Sequence, residues 1–397
     1  MKRVLITAGA VYGMLDDNKL VGNRSRGIWA VKLADTLAMM DFAQEEEDGL
    51  EYDFQITLLV PDTFPKERIE AHINRMAIEK VTVVKHRGFD DYREKCHQLA
   101  GEHDYAIMAS AVVNWIPTTP VPGKMATKGY EVGDKIDISF YLAPRVIEEM
   151  KLYNPTLTII GCKMLAGADD ETLVEAAYGV LRRSKCNVVV ANDLTAGLRR
   201  KLLVYPDRSV HEYGNDWPGF EKALCDLLQD RWWKTIGQDA PVGNSPAIDR
   251  ARLYFDQIVD KYRDRFLHPV DGKDMVFGSL AVPVGKAAWL VSPRTKGRLF
   301  TSKDAVLIQS FALPGRTIHV RGLSKATLNA PLLIRTSAAY DNCAVLHLHE
   351  EHPMGVTVPY GPPGSERDNS REIVGPVMNI EGHGFVATLN EDLWMQQ

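Results

Sequence analysis

Short apolar runs alternate with amphipathic stretches through the first half of the chain. Residues 4–7, 55–60, 80–85, 105–110, 156–161 and 187–191 read as buried strands. Residues 28–40, 91–101 and 171–183 have helical periodicity, with Trp29, Leu33 and Leu37 spaced by four. Apolar strands separated by helices predict a mostly parallel sheet covered on both faces, a doubly wound, Rossmann-like α/β architecture. In such sheets ligands meet the carboxyl ends of the strands, so chemistry is expected in the loops after Thr7, Ser110 and Ala191. Residues 216–233 read as one more helix.

A turn-rich break follows at 237–246, Gly-Gln-Asp-Ala-Pro-Val-Gly-Asn-Ser-Pro. Such a run of glycine, proline, asparagine and serine marks a domain boundary. Beyond it the pattern changes to a helix at 247–265 and strands of period two at 276–284, 288–292, 305–309 and 317–321. A second helix at 330–340 leads into a strand ending His347-Leu348-His349. The expectation is one α/β domain at 1–235, a linker at 236–247, and a second α/β domain with a mostly antiparallel sheet at 248–397.

Composition narrows the classes. The chain has 397 residues, 45% of them hydrophobic and 25% charged, with a net charge of −5. No basic stripe argues for nucleic acid. The five scattered cysteines lack CxxC spacing, which points to reduced thiols and not to a disulfide framework. No apolar stretch approaches the roughly 20 residues that span a bilayer. A soluble, cytoplasmic protein acting on small molecules, without membrane or nucleic-acid partners, is expected.

The histidines carry the sharpest chemistry. In a strand, side chains at i and i+2 share a face, so His347 and His349 point the same way. His383, inside Glu381-Gly382-His383-Gly384, adds a third imidazole from a second backbone. Three nitrogens suit a borderline ion such as zinc better than a hard one. A lone buried histidine is usually a hydrogen-bonded core residue; three converging ones are costly unless something uses them. His352 follows in a segment that reads as a solvated turn. In the first half, Gly22-Asn23-Arg24-Ser25-Arg26-Gly27 precedes a helix and can hold an anion on its amides. Taken singly, such loops are ordinary turns.

Taken in order, the loops of the first half resemble phosphopantothenoylcysteine synthetase, in its bacterial, CTP-using branch, over roughly residues 1–210. The matching pieces are Val4-Leu5-Ile6-Thr7-Ala8-Gly9, Asn23-Arg24-Ser25-Arg26-Gly27, Ala111-Val112-Val113-Asn114-Trp115 and Lys124. Leu142-Ala143-Pro144-Arg145-Val146-Ile147 and Val188-Val189-Val190-Ala191-Asn192-Asp193 complete them. The resemblance implies activation of a carboxylate as an acyl-nucleotide, followed by attack of an amine, with magnesium accompanying CTP. By position it implies that Asn23 steadies the acyl phosphate and that Lys124 neutralises phosphate charge, helped by Lys163, Arg182 and Lys185. Gly9, Ser25, Ala111, Val112, Val113, Asn114, Pro144, Asn192 and Asp193 would face the nucleotide. Asn114 stands where the family has aspartate, and Gly161-Cys162-Lys163-Met164-Leu165 replaces its G-F-x-x-E.

The second half, from about 248 to 397, resembles the class II aldolase/adducin family. The segments are Phe277-Gly278-Ser279-Leu280-Ala281-Val282, 290–297, 299–304, Ala344-Val345-Leu346-His347-Leu348-His349, 358–365 and Gly382-His383-Gly384-Phe385. The resemblance implies a zinc site of His347, His349 and His383 that polarises a carbonyl. The family's catalytic glutamate falls at Asn329, and an amide cannot take a proton as a carboxylate does. Glu350 and Glu351 are the acids that could compensate. Two readings follow: a bifunctional ligase and lyase, or one catalytic half joined to a structural or oligomerising module. A homo-oligomer, dimer or tetramer, is expected. A dinucleotide-binding module ranks last, because no G-x-G-x-x-G follows the first strand.

Overall fold

The computed structural model describes residues 2–43, 54–154, 156–195, 200–214, 216–229, 234–267, 274–312, 317–364 and 368–389. The end of the expected helix at 216–233 and Ser365 of the 358–365 segment lie outside the described residues. The chain is a mixed α/β protein that divides into two compact units, Met1–Tyr205 with Val210–Leu228, and Gln229–Gln397 with Pro206–Ser209.

The first unit is built on an eight-stranded sheet. Across it run Val210–Glu212, Leu202–Val204, Val188–Asp193, Thr158–Leu165, Tyr105–Met108, Lys2–Thr7, Phe54–Pro61 and Val81–His86. The last six of these are parallel; Leu202–Val204 and Val210–Glu212 return antiparallel at one edge. Alternation sorts the strand residues. Val4 and Ile6 pack with helices Ile28–Ala43 and Trp217–Gln229. Leu5 packs with Gly88–Ala100, Val146–Tyr153 and Asp170–Ser184 on the other face. Strand order reverses between Lys2–Thr7 and Tyr105–Met108, whose carboxyl ends are therefore the natural crevice.

Helix Ile28–Ala43 buries Ala30, Val31, Leu33, Ala34, Leu37 and Ala38, while Trp29 stays half-exposed on its first turn. Helix Asp170–Ser184 starts where the Asp169 carboxylate accepts the Thr172 amide at 2.8 Å and stops at Lys185, whose φ of 51° is left-handed. Short pieces with no periodic signal were not expected: a ribbon of Ala10–Met14, Leu20–Gly22 and Ala111–Val112, and the pair Trp115–Pro117 with Phe140–Leu142.

The second unit is a nine-stranded, mostly antiparallel sheet. Helix Pro246–Tyr262 packs on one face against Leu280, Leu346 and Phe385, and helix Ala330–Ala339 on the other against Ala281, Val345 and Val386. The linker expected at 236–247 begins too early. Lys234–Asp239 is an edge strand paired parallel with Thr317–Gly322. Its sequence, Lys-Thr-Ile-Gly-Gln-Asp, has no apolar alternation, so pairing with a neighbour alone makes it a strand. The break proper ends at Ser245, whose hydroxyl accepts the Ile248 amide at 3.2 Å and caps the helix. No helix of the described residues is long and apolar enough to cross a membrane.

One buried histidine of the first unit gives the fold a pH dependence. His86 is buried, its Nδ1–H donates to the Gly88 carbonyl at 3.2 Å, and its ring lies edge-on to Tyr92 at 5.0 Å. Burial pushes its pKa down to about 4. Unfolded, the imidazole titrates near 6.5, so between these values the unfolded chain binds the extra proton. This contribution is complete above pH 6.5 and is lost as pH falls toward 4, on the order of 2 kcal/mol. Melting temperature against pH should therefore be flatter in His86→Phe than in the parent; identical slopes would exclude this histidine.

Candidate functional site

In the first unit the loops meet through the backbone. The Ala111 amide donates to the Gly9 carbonyl at 2.9 Å and the Val113 amide to Val11 at 3.1 Å. Asn23 reaches over them, its Nδ2 donating to the Val112 carbonyl at 2.8 Å. The Ser25 amide donates to the Asn23 carbonyl at 3.1 Å, and the Ala143 amide to the Asn114 carbonyl at 2.8 Å, which brings Pro144 alongside. Two glycines allow the approach: a Cβ on Gly27, at φ +66°, would lie 2.6 Å from the Gly9 nitrogen. Gly9, Asn23, Ser25, Ala111, Val112, Val113, Asn114 and Pro144 thus form one patch where the strand order reverses.

Lys124 belongs to a different segment. Its neighbours Gly123 and Met125 donate their amides to Asp17 at 2.8 Å and Asp16 at 2.9 Å. The Lys19 ammonium and backbone amides hold the Asp16 carboxyl well below the usual range, so this clamp stays ionised. Lys124 itself is exposed. Lys163 sits on Thr158–Leu165 in register with Ala191, and Asn192 on the next strand in register with Met164. By alternation these two side chains face opposite sides of the sheet. The buried Asp193 carboxylate accepts the amides of Ala168 at 3.0 Å and Thr195 at 2.7 Å, so it clasps two turns together.

Arg182 and Lys185 do not join the patch. The helix that carries them returns the chain to the opposite end of the parallel strands, and Lys185 directly precedes Val188–Asp193. Both therefore lie at the amino edge, a strand length of about 20 Å from the loops. Burial lowers the Lys185 pKa, and Lys151 is its charged neighbour there.

Residues 68–202 match the DNA/pantothenate metabolism flavoprotein C-terminal domain. The coenzyme A biosynthesis bifunctional protein CoaBC of Thermococcus kodakarensis is 24% identical over 196 residues, which is 49% of this chain and 42% of that one. The chain thus spans less than half the length of this curated relative. Among solved structures, the DNA/pantothenate metabolism flavoprotein of Streptococcus pneumoniae aligns over 58% of this chain and 99% of its own, at 16% identity and a TM-score of 0.46. An L-fuculose 1-phosphate aldolase aligns over 38% of this chain and 77% of its own, at 14% identity and a TM-score of 0.26.

In the second unit the structure gathers His347, His349 and His383, with one ligand nitrogen from each within 4.8 Å of the others. Ring centroids are 4.8–4.9 Å apart. His347 lies in strand Ala344–Leu348, paired with Ser279 on one side and Val386 on the other. Its Nδ1–H donates to the Phe385 carbonyl at 2.8 Å, which leaves Nε2 as the lone-pair nitrogen, buried and without a hydrogen bond. Burial pushes its pKa down to about 4, so the ring is neutral at neutral pH. A metal-binding imidazole is oriented in this way by a carbonyl on its other nitrogen.

Gly384, at φ +124°, lets the second backbone in: a Cβ there would lie 2.0 Å from the Leu348 carbonyl oxygen. Asn329 stands at the start of helix Ala330–Ala339, its amide 3.3 Å from the Thr327 hydroxyl. That hydroxyl is 2.8 Å from Ser279, the strand partner of His347. Two details differ from expectation. Glu350 pairs with Arg265 at 2.7 Å, which removes it as a ready replacement acid. His352 is buried, not solvated, because its amide donates to the Asn379 side chain at 2.8 Å.

Proposed function

We propose that the first unit is a nucleotide-dependent carboxylate–amine ligase of the kind that builds phosphopantothenoylcysteine for coenzyme A, and that the second unit holds a divalent metal. The observation that carries the first part is the tie between Asn23 and the Val112 carbonyl. It joins the anion-holding loop to the nucleotide loop at the strand-order reversal, beside Gly9. The sequence match over 68–202 supports the same reading. Asn23 and the 23–27 loop would steady an acyl phosphate, and the Ala111–Asn114 backbone would line the base. Magnesium would ride on the phosphates; Asp193 spends its carboxylate on Ala168 and Thr195, so water and phosphate supply the other ligands.

Pyrophosphate release from CTP, with 4′-phosphopantothenate and cysteine, tests the ligase. CTP should outperform GTP. Lys124→Ala should cut turnover by about a hundredfold or more at unchanged melting temperature, since an exposed loop lysine contributes charge to a triphosphate and little packing. Full pyrophosphate release by that variant would remove Lys124 from the role, and equal use of all four nucleotides would remove the CTP preference.

For the second unit, three nitrogen donors and the buried Nε2 of His347 fit zinc. His347, His349 and His383, whose ligand nitrogens lie within 4.8 Å of one another, would hold the ion. A bound ion would polarise a substrate carbonyl. The chain's own residues then position it: Phe385 fixes the His347 tautomer, and Asn329 can donate or accept a hydrogen bond but not abstract a proton. A metal-binding unit with weak aldol cleavage is the reading these residues support.

A further inference from the structure

Among the described residues three lysines are buried: Lys151, Lys201 and Lys296. Lys151 donates to the Leu157 carbonyl and Lys296 to the Pro293 carbonyl. Lys201 is different. It is 6% exposed, and among the described residues its ammonium has neither a hydrogen bond nor a carboxylate partner. Its Nζ lies 5.7 Å from the ring centre of Trp29 and 5.9 Å from that of Trp217. The adjacent Arg200 has what Lys201 lacks, paired with Asp170 at 2.6 Å and Glu212 at 2.7 Å.

The position matters as much as the isolation. Ala191 pairs with Leu202, so Lys201 stands opposite Asn192 at the carboxyl end of Val188–Asp193. Trp29 is in the first turn of helix Ile28–Ala43, directly after the 23–27 loop. Its Nε1–H is buried with no acceptor among the described residues. An unanswered cation and an unanswered N–H therefore converge beside a helix start whose own first amides lack intrahelical partners. The buried indole N–H is costly without an acceptor, and one negatively charged oxygen group would satisfy it and pair with the ammonium together.

We propose that Lys201 and Trp29 Nε1 form an oxyanion subsite, receiving a phosphate or carboxylate group of a small-molecule substrate at the carboxyl edge of the first unit's sheet. The two indoles flank the ammonium and leave its charge for an incoming anion. It is argued from this pocket alone and holds whether or not the ligase reading does.

The test is direct anion binding to the full chain, without turnover. Inorganic pyrophosphate and acetate are titrated separately, reading tryptophan fluorescence and melting temperature, and the stronger of the two identifies the group received. The parent should bind one of them saturably. Lys201→Met keeps the aliphatic stem between the indoles and removes the charge; it should weaken binding by about tenfold or more. Trp29→Phe keeps the ring and removes the N–H, and should weaken it severalfold. Lys201→Arg should retain most of the affinity, which a purely packing role for the stem would not explain. Equal affinities in parent and Lys201→Met, or no saturable binding of either anion by the parent, would overturn the subsite.

Discussion

Alanine at Gly384 is expected to dismantle the three-histidine cluster and destabilise the second unit by more than about 3 kcal/mol. The added Cβ would sit 2.0 Å from the Leu348 carbonyl oxygen and 2.7 Å from the His349 Cα, at a φ of +124° that side chains rarely adopt. Relief requires moving the Gly384–Leu389 strand away from Ala344–Leu348, and with it His383 away from its two partners. Gly285→Ala is the control, since a Cβ there meets nothing within 4 Å and should change stability by less than about 0.5 kcal/mol. Urea unfolding of both variants decides the matter. A Gly384→Ala midpoint equal to that of the control would show that the close approach is dispensable.

The second large effect is on metal content. The parent should carry one zinc per chain, and His347→Ala/His349→Ala should carry none, as read by elemental analysis. Zinc at a thousandfold over its dissociation constant should stabilise the parent by about 4 kcal/mol and leave the double variant unmoved. No stoichiometric metal in the parent, or undiminished metal in the variant, would end the assignment. Asn329→Glu is the companion experiment: restoring a carboxylate beside an intact metal site should raise aldol cleavage of a sugar phosphate while leaving metal content unchanged.

Most of the framework was legible because its signals are physical and local. The six apolar runs of the first unit match the six parallel strands, since central strands covered on both faces need continuous hydrophobicity. His347, His349 and His383 were placed together by strand alternation and the glycines around His383, and the structure gathers them. The failures have physical causes too. Lys234–Asp239 carries no alternation because an edge strand takes its order from its neighbour. The resemblance places Arg182 and Lys185 with the nucleotide loops by position, yet a helix returning antiparallel to its strand puts its end at the far edge. Lys201 gives no signal of its own in the sequence. Only the two tryptophans, distant in sequence, make it unusual.

The bond from Asn23 to the Val112 carbonyl has a mechanical meaning as well. It crosses 89 residues of chain to tie the 23–27 loop to the Ala111–Val112 strand, both already joined to Ala10–Met14 in one ribbon. A ligand seated on either loop stiffens the other, because part of the ordering entropy has already been lost when the second arrives. Two substrates that divide these loops between them should therefore bind synergistically, each tightening the other's grip. Cutting the tie with Asn23→Ala should weaken that synergy, even where each substrate alone still binds.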